Sequence, residues 1–317
     1  MVLTRIGNQI GIDGCTFEIS IPGMCNIIQD RPLINSNGIQ YGEIQNRKGK
    51  LALVLCLPRY ERQDNIIPYR LIDAVKIELL RNDIDVALAE ILKANEFNSK
   101  LKSIELNITK ETHGKSTCND VIKLMNNSFL NQTKQNKLFV TAEQGNPLKQ
   151  VIDGVCTHTV RGQYILKAYN KSKKEGIKKK EILRIELVLQ NKQIKKLFGD
   201  KVSLKDILNN KSIISLLECY RDIFINDVIE KHIKNHLNLL VERLFEDMTC
   251  TDSPTETFIR YKEVITDIKI LEKAIKKWKN FRGNDDDFTR QLAFKIKTQY
   301  GVPQDVLKTI KEFRKSC

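Results

Sequence analysis

Three short segments of this 317-residue chain alternate apolar and polar side chains with a period of two, the signature of a strand with one buried face. In KLKSIELNIT, residues 100–109, Ile104, Leu106 and Ile108 share one side, and Glu105 and Asn107 share the other. In residues 163–171, Tyr164, Leu166 and Ala168 oppose Lys167, Tyr169 and Lys171. In residues 182–189, Leu183, Ile185, Leu187 and Leu189 oppose Arg184 and Glu186. Such segments must join a sheet with one face covered, and two intervening helical stretches can cover it. These are IDVALAEILKA, with Asn82 or Asp83 as its cap, and STCNDVIKLMNNSF. Further strands are expected at FEISIPG (17–23), LALVLCLP (51–58), VKIELL (75–80), 137–142 and 151–159.

After Gly199 the period changes to that of a helix. SIISLLECYRDIFINDVIEKHIKNHLNLLVERLFEDM and FIRYKEVITDIKILEKAIKKWKNF both carry helical apolar spacing, separated by a break at TDSP. The expected architecture is α+β: an antiparallel or mixed sheet with two crossing helices over residues 1–200, then a mainly helical DNA- or partner-binding domain over 201–317. FTRQLAFKIKTQYGVPQDVLKTIKEF (288–313) reads as helix, tight turn, helix. It suits a DNA-reading helix-turn-helix and a hairpin closing a helical core equally well.

A formal charge of +14 favours polyanionic partners, nucleic acid first and an acidic membrane surface second. A bland alternative is a composition rich in Lys, Ile and Asn that places lysine wherever a solvated residue serves. The eight cysteines form no C-x-x-C pair and have no Cys/His ligand spacing, which argues against structural zinc. MVLTRIGNQIGIDG has no apolar signal core, and no apolar run reaches the ~18 residues needed to span a bilayer. A cytoplasmic protein with reduced thiols and no membrane partner is expected. HGKST (113–117) imitates the end of a phosphate-binding loop, but Thr109 stands where its first glycine belongs.

If the three alternating strands are neighbours, Glu105, Glu186, Tyr169 and Lys171 lie on one polar face. Two carboxylates can hold Mg²⁺ or Mn²⁺, and a tyrosine hydroxyl is a nucleophile once its phenolate is favoured, a role open to the Lys171 cation. A packing tyrosine beside an Arg–Glu pair on a solvated sheet face is the structural alternative.

The order IELNIT, helix, LKAYNKSKKE, LRIELVLQ resembles the rolling-circle replication initiators of filamentous phages and related plasmids, the gene II-type and replication-initiation-factor proteins. The likeness covers about residues 50 to 200 and rests on Glu105; on Tyr169, Lys171 and Glu175; and on Arg184 and Glu186. It implies a metal-dependent nicking-joining endonuclease. Tyr169 would attack an origin phosphodiester and stay on the 5′-phosphate, with the metal held partly by Glu105 and Glu186. Host replication proteins are further partners that this reading allows. Glu105 departs from the Asp that many such proteins carry, and the His-hydrophobic-His metal motif of other rolling-circle enzymes is absent. Asp153 and His158 are possible extra ligands, and His232 and His236 read as helix packing; His113 matches no ligand spacing. Between Arg161 and Lys201 there are 13 Lys or Arg against 4 Asp or Glu. Lys167, Lys173, Lys174 and Arg184 therefore form the expected phosphate track. Two other readings fit the sequence: a relaxase nicking DNA for conjugative transfer, and a non-catalytic DNA-binding regulator.

Overall fold

The computed structural model describes residues 10–21, 29–47, 50–61, 74–92, 97–112, 117–130, 137–138, 156–178, 180–200, 202–207, 209–250, 254–262, 264–283 and 286–317. Among the described residues, nine strands form one sheet: β1 (Ile10–Ser20), β2 (Arg31–Ile34), β3 (Gln40–Arg47), β4 (Lys50–Cys56), β5 (Asn98–Glu111), β6 (Lys137–Leu138), β7 (Cys156–Val160), β8 (Tyr164–Asn170) and β9 (Ile182–Leu189). Their spatial order is β2-β3-β4-β1-β5-β9-β8-β7-β6, and every pairing is antiparallel. The three alternating strands are therefore neighbours, with β9 between β5 and β8.

The helices before residue 200 are α1 (Leu57–Glu61), α2 (Ala74–Leu92), α3 (Thr117–Leu130), α4 (Lys171–Glu175) and α5 (Asn191–Phe198). Leu80, Ile84, Leu88 and Leu92 of α2 are buried at a four-residue spacing, and Val121, Ile122, Met125 and Phe129 of α3 join them under the sheet. The expected strand at 75–80 is thus part of a helix. Leu80 begins a helical stripe that runs on to Leu92 without a glycine or proline to stop it, and that longer period wins over a short apolar run.

Beyond residue 200 come α6 (Leu204–Ile207), α7 (Asn210–Asp222), a π-helical stretch (Ile223–Ile233) and α8 (Lys234–Cys250). They are followed by α9 (Pro254–Tyr261), α10 (Ile268–Arg282), α11 (Asp286–Tyr300) and α12 (Val306–Ser316). The second long helical segment is divided between α9 and α10. Asp267 ends the break: it accepts from the backbone N–H of Lys269 at 2.9 Å as the α10 cap and from that of Leu307 at 3.0 Å.

The apolar interior has two parts. One contains the sheet, α2 and α3 together with Leu216, Tyr220, Phe224 and Val228, and Val306, Ile310 and Phe313 of α12. The other gathers Leu240, Leu244, Phe258, Leu271, Ile275, Trp278, Ile296 and Val302. A cut at residue 200 does not separate these cores, because α7, the π-helical stretch and α12 all pack with the sheet. α11 and α12 meet at Gly301, whose φ of 60° is the left-handed conformation glycine tolerates. α12 buries one face in the sheet core and leaves Lys308, Lys311, Arg314 and Lys315 exposed. Among the described residues, no helix is long and apolar enough to cross a membrane.

Candidate active site on the polar face of the sheet

β9 is buried along its whole length, so Arg184 and Glu186 lie in the middle of a protected polar strip. Register places Asn107, Glu186 and Lys167 in one row across β5, β9 and β8, and Thr109, Arg184 and Tyr169 in the next. Leu106, Leu187 and Leu166 pair across the same strands with their side chains in the core. Tyr169 is absent from that core cluster although it is only 7% exposed.

β1 brings a fourth participant. Ile12 pairs with Leu106 and Gly14 with Glu105, so Asp13 is an extra residue at a bulge. Core-facing positions change from Ile10 and Ile12 to Cys15, Phe17 and Ile19 across it. A bulge re-aims its residues, and here it turns the Asp13 carboxylate towards Arg184. Gly14 is needed beside it: a Cβ at that position would lie 2.7 Å from the Leu55 carbonyl oxygen.

The contacts form a chain. The Tyr169 hydroxyl donates to Glu186 Oε1 at 2.5 Å. Arg184 Nη1 stands 3.8 Å from that same oxygen and 3.1 Å from Asp13 Oδ2, while Arg184 Nε donates to Thr109 Oγ1 at 2.8 Å. Thr109 Oγ1 in turn donates to Asn107 Oδ1 at 3.2 Å. The buried Asn107 Nδ2 finds no partner among the described residues, leaving a donor of the kind a ligand satisfies. Lys167 Nζ lies 3.6 Å from Glu105 Oε1 and 4.0 Å from Glu186 Oε2. Glu186 therefore uses one oxygen for the phenol and turns the other towards an ammonium.

Burial pushes Asp13 up to about 6; Arg184 opposes the rise, and Glu186 and Glu105 add to it. The Tyr169 phenol is pushed well above its ordinary range, first by burial and then by the Glu186 carboxylate, while Arg184 pulls the other way. The resting tyrosine is a neutral hydrogen-bond donor. Its proton has a defined acceptor in Glu186.

The remaining expected residues are distributed around this centre. β8 ends at Asn170, whose side chain caps α4 by accepting from the Lys173 N–H at 3.1 Å. Lys171 therefore belongs to a helix instead of continuing the strand alternation. It is fully buried, and its Nζ meets Glu175 Oε1 at 2.8 Å. The cation beside the tyrosine is Lys174, 4.9 Å from the ring centroid. Lys173 and Lys174 are exposed, as a phosphate track requires. Arg184 is not on that track: it is wholly buried, its charge turned towards Asp13.

His158 pairs with Leu166 and so faces the core, where it stacks on Phe129 with ring centroids 4.1 Å apart. It lies on the face opposite to Glu186 and is no ligand beside it. His232 and His236 are buried in the π-helical stretch and α8. His113 and Asp153 fall outside the described residues, as does most of HGKST. Sequence reasoning missed Asp13; its signal was the glycine-flanked GIDGC run at a change of apolar phase.

The resemblance stated above implies a divalent ion between Glu105 and Glu186. The residues present do not fit one in this arrangement. Lys167 stands between the two carboxylates, and the other Glu186 oxygen is taken by Tyr169. Among the described residues, no group of three or more His, Cys, Asp or Glu is placed to hold a metal ion.

Compared with protein families and with curated proteins, the chain has no match. Among solved structures, a rolling circle replication initiator protein from Geobacillus stearothermophilus aligns over 60% of this chain and 77% of its own. The two are 8% identical with a TM-score of 0.32, a likeness too slight to fix a shared fold.

Proposed function

We propose that this protein initiates DNA replication by nicking and rejoining one strand through a tyrosine-linked intermediate. The observation that carries this reading is the Tyr169 hydroxyl hydrogen-bonded to Glu186 at 2.5 Å on the polar sheet face, beside the basic α4. A nucleophilic hydroxyl aimed at its own base, with a third group orienting that base, is the arrangement covalent catalysis uses. Here Arg184 orients Glu186, and Asp13 with Thr109 holds Arg184.

In the nicking step the Tyr169 oxygen forms a bond to phosphorus as its proton passes to Glu186. The bond from phosphorus to the 3′ oxygen breaks, and that oxygen leaves as a free 3′-hydroxyl by taking a proton from water, whose hydroxide recovers the proton held by Glu186. The 5′-phosphate stays on the tyrosine, and attack by a 3′-hydroxyl reverses the sequence to rejoin the strand. Lys173 and Lys174 supply phosphate contacts next to the nucleophile, and Lys167 and Glu105, with side chains 35% and 36% exposed, line the open side of the site.

A second reading, DNA binding without cleavage, is favoured by the burial of Tyr169 itself. Tyr169→Phe separates the two. On single-stranded and supercoiled DNA the catalytic reading expects retained binding with nicking abolished; nicking that survives the substitution refutes it.

A further inference from the structure

We propose that Lys167 is the resident cation of this site, taking the place between Glu105 and Glu186 that the divalent ion of related chemistry would need. This rests on the reading of Tyr169 as the nucleophile. Lys167 is fixed by register, since it pairs directly with Glu186 across β8 and β9. Its ammonium sits between Glu105 Oε1 at 3.6 Å and Glu186 Oε2 at 4.0 Å. Glu186 Oε1 meanwhile accepts from Tyr169, so base and cation holder are two oxygens of one carboxylate.

Charge makes the two occupants mutually exclusive. A divalent ion within a few ångströms of the ammonium would be strongly repelled, so an ion enters this place only if the Lys167 ammonium leaves it. A tethered ammonium can do for a phosphodiester what electrostatic stabilisation requires. It places a fixed positive charge, with three donors, where negative charge grows on the non-bridging oxygens. The exposure of Lys167 leaves that ammonium reachable from solvent, unlike the buried Arg184. The buried Asn107 amide in the same row supplies a second donor without a partner.

The test has two independent readouts. The first is Mn²⁺ binding to the full chain, followed by the loss of free-ion electron paramagnetic resonance signal. The wild type is expected to bind Mn²⁺ weakly. Lys167→Met, which keeps the stem and removes the charge, is expected to bind one ion roughly tenfold more tightly or better. That gain should vanish in Lys167→Met/Glu105→Gln, with circular dichroism confirming that both variants fold. A wild type that already binds one ion tightly, and loses it on Glu105→Gln, overturns the proposal. So does a Lys167→Met protein that binds no better than wild type.

The second readout is the covalent adduct formed in excess chelator. Wild type is expected to retain it and Lys167→Met to lose most of it; an adduct abolished by the chelator counts against Lys167. If no adduct forms with or without chelator, the Tyr169 reading fails, and the Mn²⁺ titration still decides what stands between the two glutamates.

Discussion

Arg184→Met removes a guanidinium that reaches both Asp13 and Glu186, and its cost should depend on pH. At pH 8 Asp13 is ionised, because its pKa is pushed up only to about 6. Deleting Arg184 then leaves a buried carboxylate, 6% exposed, without the partner it has at 3.1 Å, and strips Glu186 of a cation at 3.8 Å. Breaking a buried pair in this way costs about 3–5 kcal/mol. At pH 5 Asp13 already carries a proton in the folded protein, so the substitution loses mainly hydrogen bonds to a charged donor, about 1.5–3 kcal/mol. Urea unfolding of wild type and variant, followed by far-ultraviolet circular dichroism at both pH values, measures the difference. Asp13→Asn completes a double-mutant cycle, whose coupling at pH 8 should be about 1–3 kcal/mol and should shrink at pH 5. Additivity at pH 8, or an equal cost at both pH values, would mean that Asp13 does not hold Arg184 in place.

His158 offers a second pH test on the opposite sheet face. Burial holds it down to about 4, helped by His232 and Lys231 and opposed by Asp227. Between pH 6.5 and about 4 the unfolded chain therefore binds a proton that the folded protein refuses. Its contribution is complete above pH 6.5 and lost as the pH falls towards 4, by about 3 kcal/mol in total. His158→Phe, which keeps a flat ring against Phe129, should flatten that part of the stability profile; an unchanged slope would show that another group carries it. Replacing Lys173 and Lys174 together by alanine should lower the salt dependence of single-strand binding by roughly 0.7 in slope for each lost contact. A slope equal to wild type would remove them from the DNA path.

The central part of this fold was legible because β5, β8 and β9 alternate strictly and bury one face. Period two then dictated that Glu105, Glu186 and Tyr169 share a side, and the β5-β9-β8 order brings those sides together. What stayed hidden had physical causes. β2 is a short, mostly exposed edge strand, RPLI, whose proline suits only an edge, and polar β3 shows little apolar pattern. The start of β1 was lost because the bulge at Asp13 shifts its apolar phase by one residue, which breaks the very alternation that reveals a strand. Arg184 looked like a surface cation because strand period tells which face a side chain occupies, not how deeply that face is covered. Lys171 was assigned to the strand because nothing in YNKSKKE except the capping asparagine marks the turn into α4.

The most direct test of the nucleophile is to identify the residue that becomes attached to DNA. The full chain would be incubated with a 5′- and 3′-labelled single strand, denatured and digested, and the nucleotide-bearing peptide sequenced by mass spectrometry. The expected result is a 5′-phosphate linked to Tyr169, with the fragment upstream of the cut released bearing a free 3′-hydroxyl. An adduct on Tyr164, Tyr220 or any other residue, or strand cleavage with no adduct, would contradict it.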